Sequence, residues 1–562
     1  MSFIQIQRNS DGKGGVSAYA HWATSRWLPG KRHPKQERVY LGRLADNEAN
    51  VELSKRFAGD ARIKVPLTEI ERAANGGEDV PAWLASMATP PGADSVKAVE
   101  TVGQAYALQS ISSEIGLEKA LREAFGAEMG RALAALAAYQ AAEGRPLYLA
   151  SHWMEDAAIS VEGFDFSSPA ISGLMAAAGA DKRGAERFSR LWLDACGRPK
   201  SLVCDITSIS TYSGSLDMAE FGHNRDEERL PQINLALVAA RTSGLPLAWR
   251  VMPGSVPDVA TLDNTATFLE ELGLEGFAFS LDRGFYSMAN LRKMLQKKIG
   301  FVIGAPFSVK AAGSLVLRHR SALASSKRSF QRQGKVLRHI ADEWLVDDGR
   351  RGRKRKIAAH LFYDPSGRAR RLDDLERRVF ALEAAAGKEL FETGSDARRW
   401  LAENAKGLAK CFSVRRKGDG AMVARRPSTV ARMATRFGYT VVLASDRKAG
   451  RDTVLDDFGS RDAAEKLFDL LKNEDGQSRL RSGNDDVVEG RLLLAFCALA
   501  LRSSVEARMR ESGLLKKMSV PDALCELKKI KVCKTSTGRR VMMEITKRQR
   551  DVLKALRLQP PT

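Results

Sequence analysis

The sequence predicts a multidomain α/β protein whose mixed core sheet is interrupted by an inserted basic block. Three observations carry this expectation. The chain has 562 residues, well beyond the roughly 100–200 that one domain usually holds, so three or four domains are expected. From residue 200 short β-rich runs give way to alternating helical and β periods, the pattern of a sheet with helices on its faces. Between about 305 and 440 the chain becomes basic and less apolar, and the β pattern then resumes.

Composition narrows the function classes. Apolar residues make up 44% and charged residues 28%, which favours folded domains over disorder. Lysine and arginine outnumber aspartate and glutamate by 89 to 68, and a surplus of +21 creates a field that attracts polyanions, nucleic acid first among them. The six cysteines are scattered without a CxxC pair, so neither a disulfide framework nor a structural zinc is expected. No segment approaches the roughly 20 apolar residues needed to cross a bilayer, so a cytoplasmic location and no membrane partner are expected. DGKGG and GDG lack the Gly-Lys-Ser/Thr ending of a phosphate loop, and His21, His152 and His223 fall into no nucleophile–base order.

Each region follows from its local pattern. In residues 1–50, FIQIQ, SAYAHWATS and RVYLGRL are β-rich runs separated by DGKGG and LPGKRHP turns. They predict a small antiparallel sheet carrying Arg8, Lys13, Arg26, Lys31, Arg32, Lys35 and Arg38, suited to a DNA backbone. Residues 51–195 read as a mainly helical region, expected to bind DNA, with a Pro/Gly linker at ATPPGAD (88–94) and helical spacing in GLEKALREAFGAEMGRALAALAAYQAA and GAERFSRLWLDAC.

The core begins in residues 196–304. SLVCDITSIS, QINLALVAAR and LPLAWRVM are three strands, the last two joined by an SG turn as a hairpin. A helix at about 258–272, the strand GFAFSLDRG, the helix SMANLRKMLQKK and the strand GFVIGAP complete that part. Residues 305–440 read as a mostly β insertion in which LVLRHR, KVLRHIADEWLV and KIAAHLFYD are strands and LDDLERRVFALEAAAG a helix. Its basic runs RRGRKRK, RARR, VRRKGDG and VARRP suit phosphate contacts, and Trp344 is expected in the core. The core resumes over 441–505 with YTVVLAS and a helix in FGSRDAAEKLFDLLKNE, and 506–562 form a helical and β C-terminal segment.

Three carboxylates are candidates for shared chemistry. Asp205 ends the apolar run SLVC and Asp282 ends GFAFSL; two such strands side by side would put both acids at one sheet edge. Glu465 sits in a helical pattern where Leu467, Phe468, Leu470 and Leu471 supply the apolar face, while Arg461, Glu465 and Lys472 share another. Aspartate and glutamate suit magnesium, and two such ions roughly 3.5–4 Å apart suit displacement at phosphorus. Arg461 and Glu465 also fit an ordinary helix ion pair, a lone Asp after a strand fits a cap, and Asp217, Asp226, Asp258 and Asp469 compete. Spacing leaves these readings open.

LVCDITSISTYSG, GHNRDEERLPQINLALVAARTSGLPLAWRVMPGSVPDVATL, LDRGFYSMANL and FGSRDAAEKLFDLLKNE, in that order, resemble the DDE transposases of bacterial insertion sequences with a Tyr-Arg-Glu-Lys signature. That signature is met by Phe458, Arg461, Glu465 and Lys472, with phenylalanine replacing the tyrosine. The resemblance spans roughly 200–305 and 437–505 and implies an RNase H-like fold with a largely β insertion, for which the 183 positions from Asp282 to Glu465 leave room.

The resemblance also implies roles. Asp205, Asp282 and Glu465 would be catalytic and hold two Mg2+ ions, with Mn2+ a substitute. Arg461 and Lys472 would grip phosphates near the cut, with Phe458, Arg283 and Tyr286 as further DNA contacts. The partner would be double-stranded DNA, both transposon ends and target, held by a homodimer. The activity implied is cleavage at transposon ends followed by strand transfer. The alternatives are a nuclease of the same fold that cuts without joining, and a catalytically inactive domesticated DNA-binding protein.

Overall fold

The computed structural model describes residues 2–10, 16–27, 34–58, 62–87, 96–222, 229–256, 258–347, 349, 353–460, 467–468, 471–472, 479–480 and 482–561. The ATPPGAD linker, Lys13, Lys31, Arg32, His223, Asp226, Arg461, Glu465 and Asp469 lie outside the described residues. Two compact units emerge, one of Met1–Val99 with Val532–Met542 and one of Glu100–Lys531 with Met543–Thr562. No helix among the described residues is long and apolar enough to cross a membrane.

In the first unit, β1 (Ser2–Ser10), β2 (Val16–Arg26), β3 (Lys35–Ala45), β4 (Asn50–Leu53) and β5 (Lys64–Pro66) pair in chain order as an antiparallel sheet. Alternation sends Ile4, Ile6, Ala18, Ala20, Leu41, Leu44, Val51 and Leu53 into one core. That core is closed by α1 (Lys55–Ala58), α2 (Leu67–Asn75) and α3 (Val80–Met87) through Phe57, Ile70, Ala73 and Leu84. β6 (Val96–Thr101) pairs separately with the strand Lys531–Thr535, which in turn pairs with Arg540–Met542.

The second unit opens with helices α4 (Gly103–Glu114), α5 (Leu117–Phe125), α6 (Ala127–Glu143), α7 (Ala150–Asp156), α8 (Ser168–Ala180) and α9 (Lys182–Ala195). The long helix Asp485–Glu511 packs closely on α8. A Cβ on Gly179 would run into the carbonyl of Asp486, and one on Gly490 into that of Met175, so glycine on both helices permits the approach.

The mixed sheet is built from β7 (Ser201–Thr211), β8 (Gln232–Ala240), β9 (Pro246–Pro253), β10 (Ala278–Leu281), β11 (Gly300–Ala305), β12 (Ser329–Arg332), β13 (Lys335–Asp347) and β14 (Lys354–Tyr363). A separate hairpin, β15 (Phe412–Lys417) with β16 (Gly420–Arg425), precedes β17 (Tyr439–Ala444) and the short β18 (Arg479–Leu480). Ten strands among the described residues run in the order β12-β13-β14-β17-β11-β10-β7-β8-β9, with β18 on β7. β7, β10 and β11 are mutually parallel, and β8 is buried along its whole length, as a strand covered on both faces must be. One face packs on α10 (Asp258–Glu271), α11 (Met288–Gln296) and α12 (Lys310–Ala324) through Leu262, Leu269, Leu291, Leu315 and Val316.

Two sequence expectations are corrected. LVLRHR lies inside α12, not in a strand; its alanine-rich flanks favour helix, and a six-residue run shows no clear period. The block at 305–440 is not largely β. Its strands β12, β13 and β14 extend the core sheet through β17, and most of the remainder is helical: α13 (Pro365–Ala386), α14 (Gly394–Asn404) and α15 (Pro427–Ala434) pack with the β15–β16 hairpin around Leu375, Val379, Leu401 and Phe412.

Candidate active site

Strand register places the aspartates. β7 and β10 set Ser201 opposite Ala278, Leu202 opposite Phe279 and Val203 opposite Ser280. The register continued two residues past the last pair leads to Asp205 within β7 and to Asp282, which directly follows β10. β10 and β11 set Leu281 opposite Ile303, so the next level brings Gly304 beside Asp282. The row continues through Val442 of β17 to His360 of β14. Residues at one level share a face, on strands about 4.8 Å apart.

That face is opposite the main core. The neighbours of the aspartates in sequence, Cys204, Ile206 and Leu281, are buried with Phe279, Phe301 and Ile303 in the large apolar cluster. Asp205 and Asp282 are half-buried on the other side. Rigid apolar strands thus carry both aspartates on the face opposite the large apolar cluster. The Asp205 Oδ1 accepts from the Ile206 backbone N–H at 2.8 Å, which fixes its rotamer. Burial, reinforced by the Asp205 charge, pushes the Cys204 thiol well above its ordinary range.

The aspartate face is covered by α16 (Arg451–Gly459), whose Val454, Leu455 and Phe458 pack on Val302, Val442, Ala444, Ala358 and Phe362. Phe458 lies over Gly304: a Cβ there would stand 3.1 Å from the Phe458 ring and 2.6 Å from the Arg283 Cγ. Arg283 and Phe458 therefore meet over Gly304 of β11, Arg283 directly following Asp282 in the chain.

Ion pairs hold this helix down. Arg241, just past β8, meets Asp457 at 2.7 Å with both side chains largely buried. Arg332 of β12 meets Asp456 at 2.5 Å and donates to the Asp452 carbonyl at 3.3 Å. The Arg451 guanidinium lies 4.0 Å over the Phe330 ring. Burial raises the Asp457 carboxyl above the usual range, against the pull of Arg241 and with help from Asp456.

A cleft of about 570 Å³ opens beside this convergence, lined by Arg283, Phe458, Arg371, Lys410, Arg432 and Arg436 among others. No carboxylate stands among its described lining residues. Five cations around an opening of this size suit a phosphodiester chain. Arg436 is steadied by donating to the Phe307 carbonyl at 2.9 Å.

Other expected residues fall elsewhere. Phe458 closes α16, which ends at Gly459 with Ser460 as cap. A spacing argument that put Phe458, Arg461, Glu465 and Lys472 on one continuous helix did not allow for that break. Arg461 and Glu465 lie outside the described residues, and Lys472 is half-buried next to the buried Leu471. Tyr286 is turned into the large core opposite the aspartates, edge-on to the buried Trp344 at 6.3 Å, and burial raises its hydroxyl pKa. Gly304, Arg241 and Asp457 escaped sequence reading. The glycine inside the strand run FVIGAP was the available signal, since glycine in a strand marks a close approach.

Residues 198–501, more than half of the chain, match the family model described as the transposase DDE domain. No curated protein sequence matches the chain. Among solved structures it is similar to a piggyBac transposase synaptic complex with hairpin DNA, at 11% identity over 76% of each chain and a TM-score of 0.34.

Proposed function

The chain belongs to the transposase DDE domain family, and from that premise we propose that it cuts double-stranded DNA at transposon ends and joins those ends to target DNA. The observation that carries this reading is the parallel pairing of β7 with β10 inside the matched segment, whose register leads toward Asp205 and Asp282. A mixed sheet with β7, β10 and β11 parallel and β8 and β9 antiparallel supports an RNase H-like core. The bacterial insertion-sequence class with the Tyr-Arg-Glu-Lys signature remains our assignment on sequence.

Asp205 and Asp282, with Glu465 as the third donor, would hold Mg2+ or Mn2+. Among the described residues no trio of His, Cys, Asp or Glu stands ready for an ion, and Glu465 lies outside them. Two half-buried carboxylates on one sheet face fit a hard divalent cation, because oxygen donors match it. When bound, the metal supplies stabilisation of charge on the attacking and leaving oxygens.

The protein's own groups do the rest. The apolar strands hold both carboxylates at one place, Arg283 and the cleft cations orient phosphates, and Phe458 forms an apolar wall. Arg461 and Lys472 would add phosphate contacts. We read the active form as a cytoplasmic homodimer holding two DNA ends.

Incubating the protein with labelled terminal duplex, target plasmid and magnesium tests the proposal. Cutting with joining supports it. Cutting alone points to a nuclease of this fold, and retained binding without cutting points to an inactive descendant.

A further inference from the structure

We propose that the cleft along the outer edge of β9 is a docking site for an extended peptide segment of another protein, which joins the sheet as an added strand. It lies two strands from β7 and serves no step of the proposed chemistry.

β9 is the last strand of the described sheet and is bonded to β8 on one side only. Residues of an antiparallel strand bond alternately to one neighbour and to the other. Arg241, just past β8, donates its N–H to the Ser201 carbonyl of β7 at 2.9 Å, and the Thr211 N–H donates to the Pro231 carbonyl at 2.9 Å. Odd-numbered residues of β8 therefore bond to β7 and even-numbered ones to β9. Register sets Val238 opposite Ala248, Ala236 opposite Arg250 and Asn234 opposite Met252. The backbone N–H and C=O of the intervening Trp249 and Val251 thus point away from β8, and neither residue has another backbone partner among the described residues. Open groups of this kind are a template for a further strand.

That edge is the floor of a cleft of about 600 Å³, with Ala185 and Ser189 of α9 on one wall and Phe268 and Leu272 of α10 on the other. Side chains of β9 alternate between the walls. The Trp249 ring packs 4.5 Å from that of Phe496 in the long helix Asp485–Glu511, whereas the Arg250 guanidinium lies 5.3 Å over the Phe268 ring. Trp249 and Val251 are only half-buried, so apolar surface is left for an occupant to cover. Pro246 and Pro253 close the strand at both ends, which limits the added strand to a few residues.

Charge selects the occupant. The described lining balances Lys182, Arg190 and Arg250 against Glu186, Glu271 and Glu489, so in a chain of net charge +21 this cleft offers a polyanion no attraction. Lys182 pairs with Glu489, and Arg190 with Glu186 at 2.8 Å. Arg250 donates to the Asn264 carbonyl at 3.2 Å. Glu271, exposed on α10, has no ion pair among the described residues, and it calls for a lysine or arginine in a segment that is otherwise apolar. A second copy of this chain would bring its own β9 edge between its own helical walls, and two walled edges cannot meet.

The test uses the full chain and a library of random heptapeptides displayed on phage. Selected peptides are synthesised with a fluorescent label and measured by anisotropy; they are expected to alternate apolar residues and to carry lysine or arginine. Val251→Pro removes one outward N–H and leaves the ladder to β8 intact, and it should weaken binding by about fivefold or more. Glu271→Lys should reverse the charge preference, so that a glutamate version of the peptide binds better than the lysine version. Methylating alternate backbone nitrogens of the peptide should abolish binding in one phase of the alternation and spare it in the other. Should Val251→Pro fail to fold, Glu271→Lys and the methylated peptides carry the test.

The proposal is overturned by an empty selection, by unchanged binding in both variants, or by methylation that is tolerated in both phases. Displacement of the peptide by duplex DNA would also overturn it, making the cleft part of a nucleic-acid path. So would a dimer that Val251→Pro dissolves, since a second copy would then be the occupant.

Discussion

Gly304 and Phe458 share one space: the missing side chain of the glycine is where the phenyl ring lies, 3.1 Å from the position a Cβ would take. Gly304→Ala must displace either that ring or the Arg283 side chain. Overpacking of this kind costs about 1–3 kcal/mol, and here the displacement falls one strand away from Asp282. DNA cutting is expected to drop about tenfold or more, which corresponds to roughly 1.4 kcal/mol or more of barrier. Phe458→Leu in the same chain should recover part of the loss, and a double-mutant cycle on cutting rate measures the coupling. Additive effects would show that the two residues act apart.

Asp205→Asn and Asp282→Asn keep shape while removing one negative charge each from the sheet face toward which the β7–β10 register leads. Each is expected to reduce cutting by about a thousandfold, roughly 4 kcal/mol of barrier, with duplex binding unchanged. Asp217→Asn, exposed in the loop after β7, should cut normally. Gel-based cleavage with a parallel binding titration separates the two readouts, and loss of binding in the aspartate variants would move these residues from chemistry to DNA contact.

The legible parts of this molecule are those where local pattern and final environment agree. Asp205 and Asp282 stood out because a lone acid closing an apolar run is conspicuous; Asp282 does directly follow β10, but β7 runs on to Thr211, so Asp205 lies inside its strand and not at the end of it. The β8–β9 hairpin, α10, α11 and β17 were likewise readable from period and turn residues. Non-local pairing was not. Nothing in KIAAHLFYD says that its strand will pair with YTVVLAS, some 75 positions later and part of the core, so a sheet extension looked like a separate β insertion. Facing was the second blind spot: Tyr286 follows Asp282 by four residues, yet the short helical turn Arg283–Phe285 between them sends it to the opposite side.

Arg241 and Asp457 form a largely buried pair that fastens α16 to the sheet. Arg241→Ala leaves the Asp457 carboxylate without that partner, and the loss is expected to be on the order of 1–3 kcal/mol. The pH sign follows from the raised Asp457 pKa. Because the folded state holds this proton longer than the unfolded chain, the carboxyl's contribution is fully present below the ordinary carboxylate range and is lost as pH rises through the folded value. Removing Arg241 removes the influence that opposes burial, so the variant should be hurt more at pH 8 than at pH 4. Urea denaturation of both proteins at the two pH values checks this; equal losses would mean that the pair contributes packing alone.

His339 and His360 stack at 5.2 Å on neighbouring strands, the Nε2 of the first 3.0 Å from the Nδ1 of the second. Burial, then the neighbouring His360 and Arg451, holds the His339 pKa down to about 4, and burial lowers that of His360 as well. An unfolded histidine takes up its proton near pH 6.5. Between that value and about 4 the unfolded chain therefore binds more protons than the folded one, and stability falls as pH falls. One such group gives a slope approaching about 1.4 kcal/mol per pH unit. The pair lies on the face that α16 covers, with Arg451 and Asp452 of that helix among the charges acting on His339. Acid should thus loosen the helix that seats Phe458 before it reaches the carboxylates themselves. His339→Leu removes one of the two titrating groups, so its stability should lose the His339 share of this slope and keep that of His360. Denaturation midpoints at pH 7, 5.5 and 4.5 test the argument, and an unchanged slope in the variant would place the acid sensitivity elsewhere.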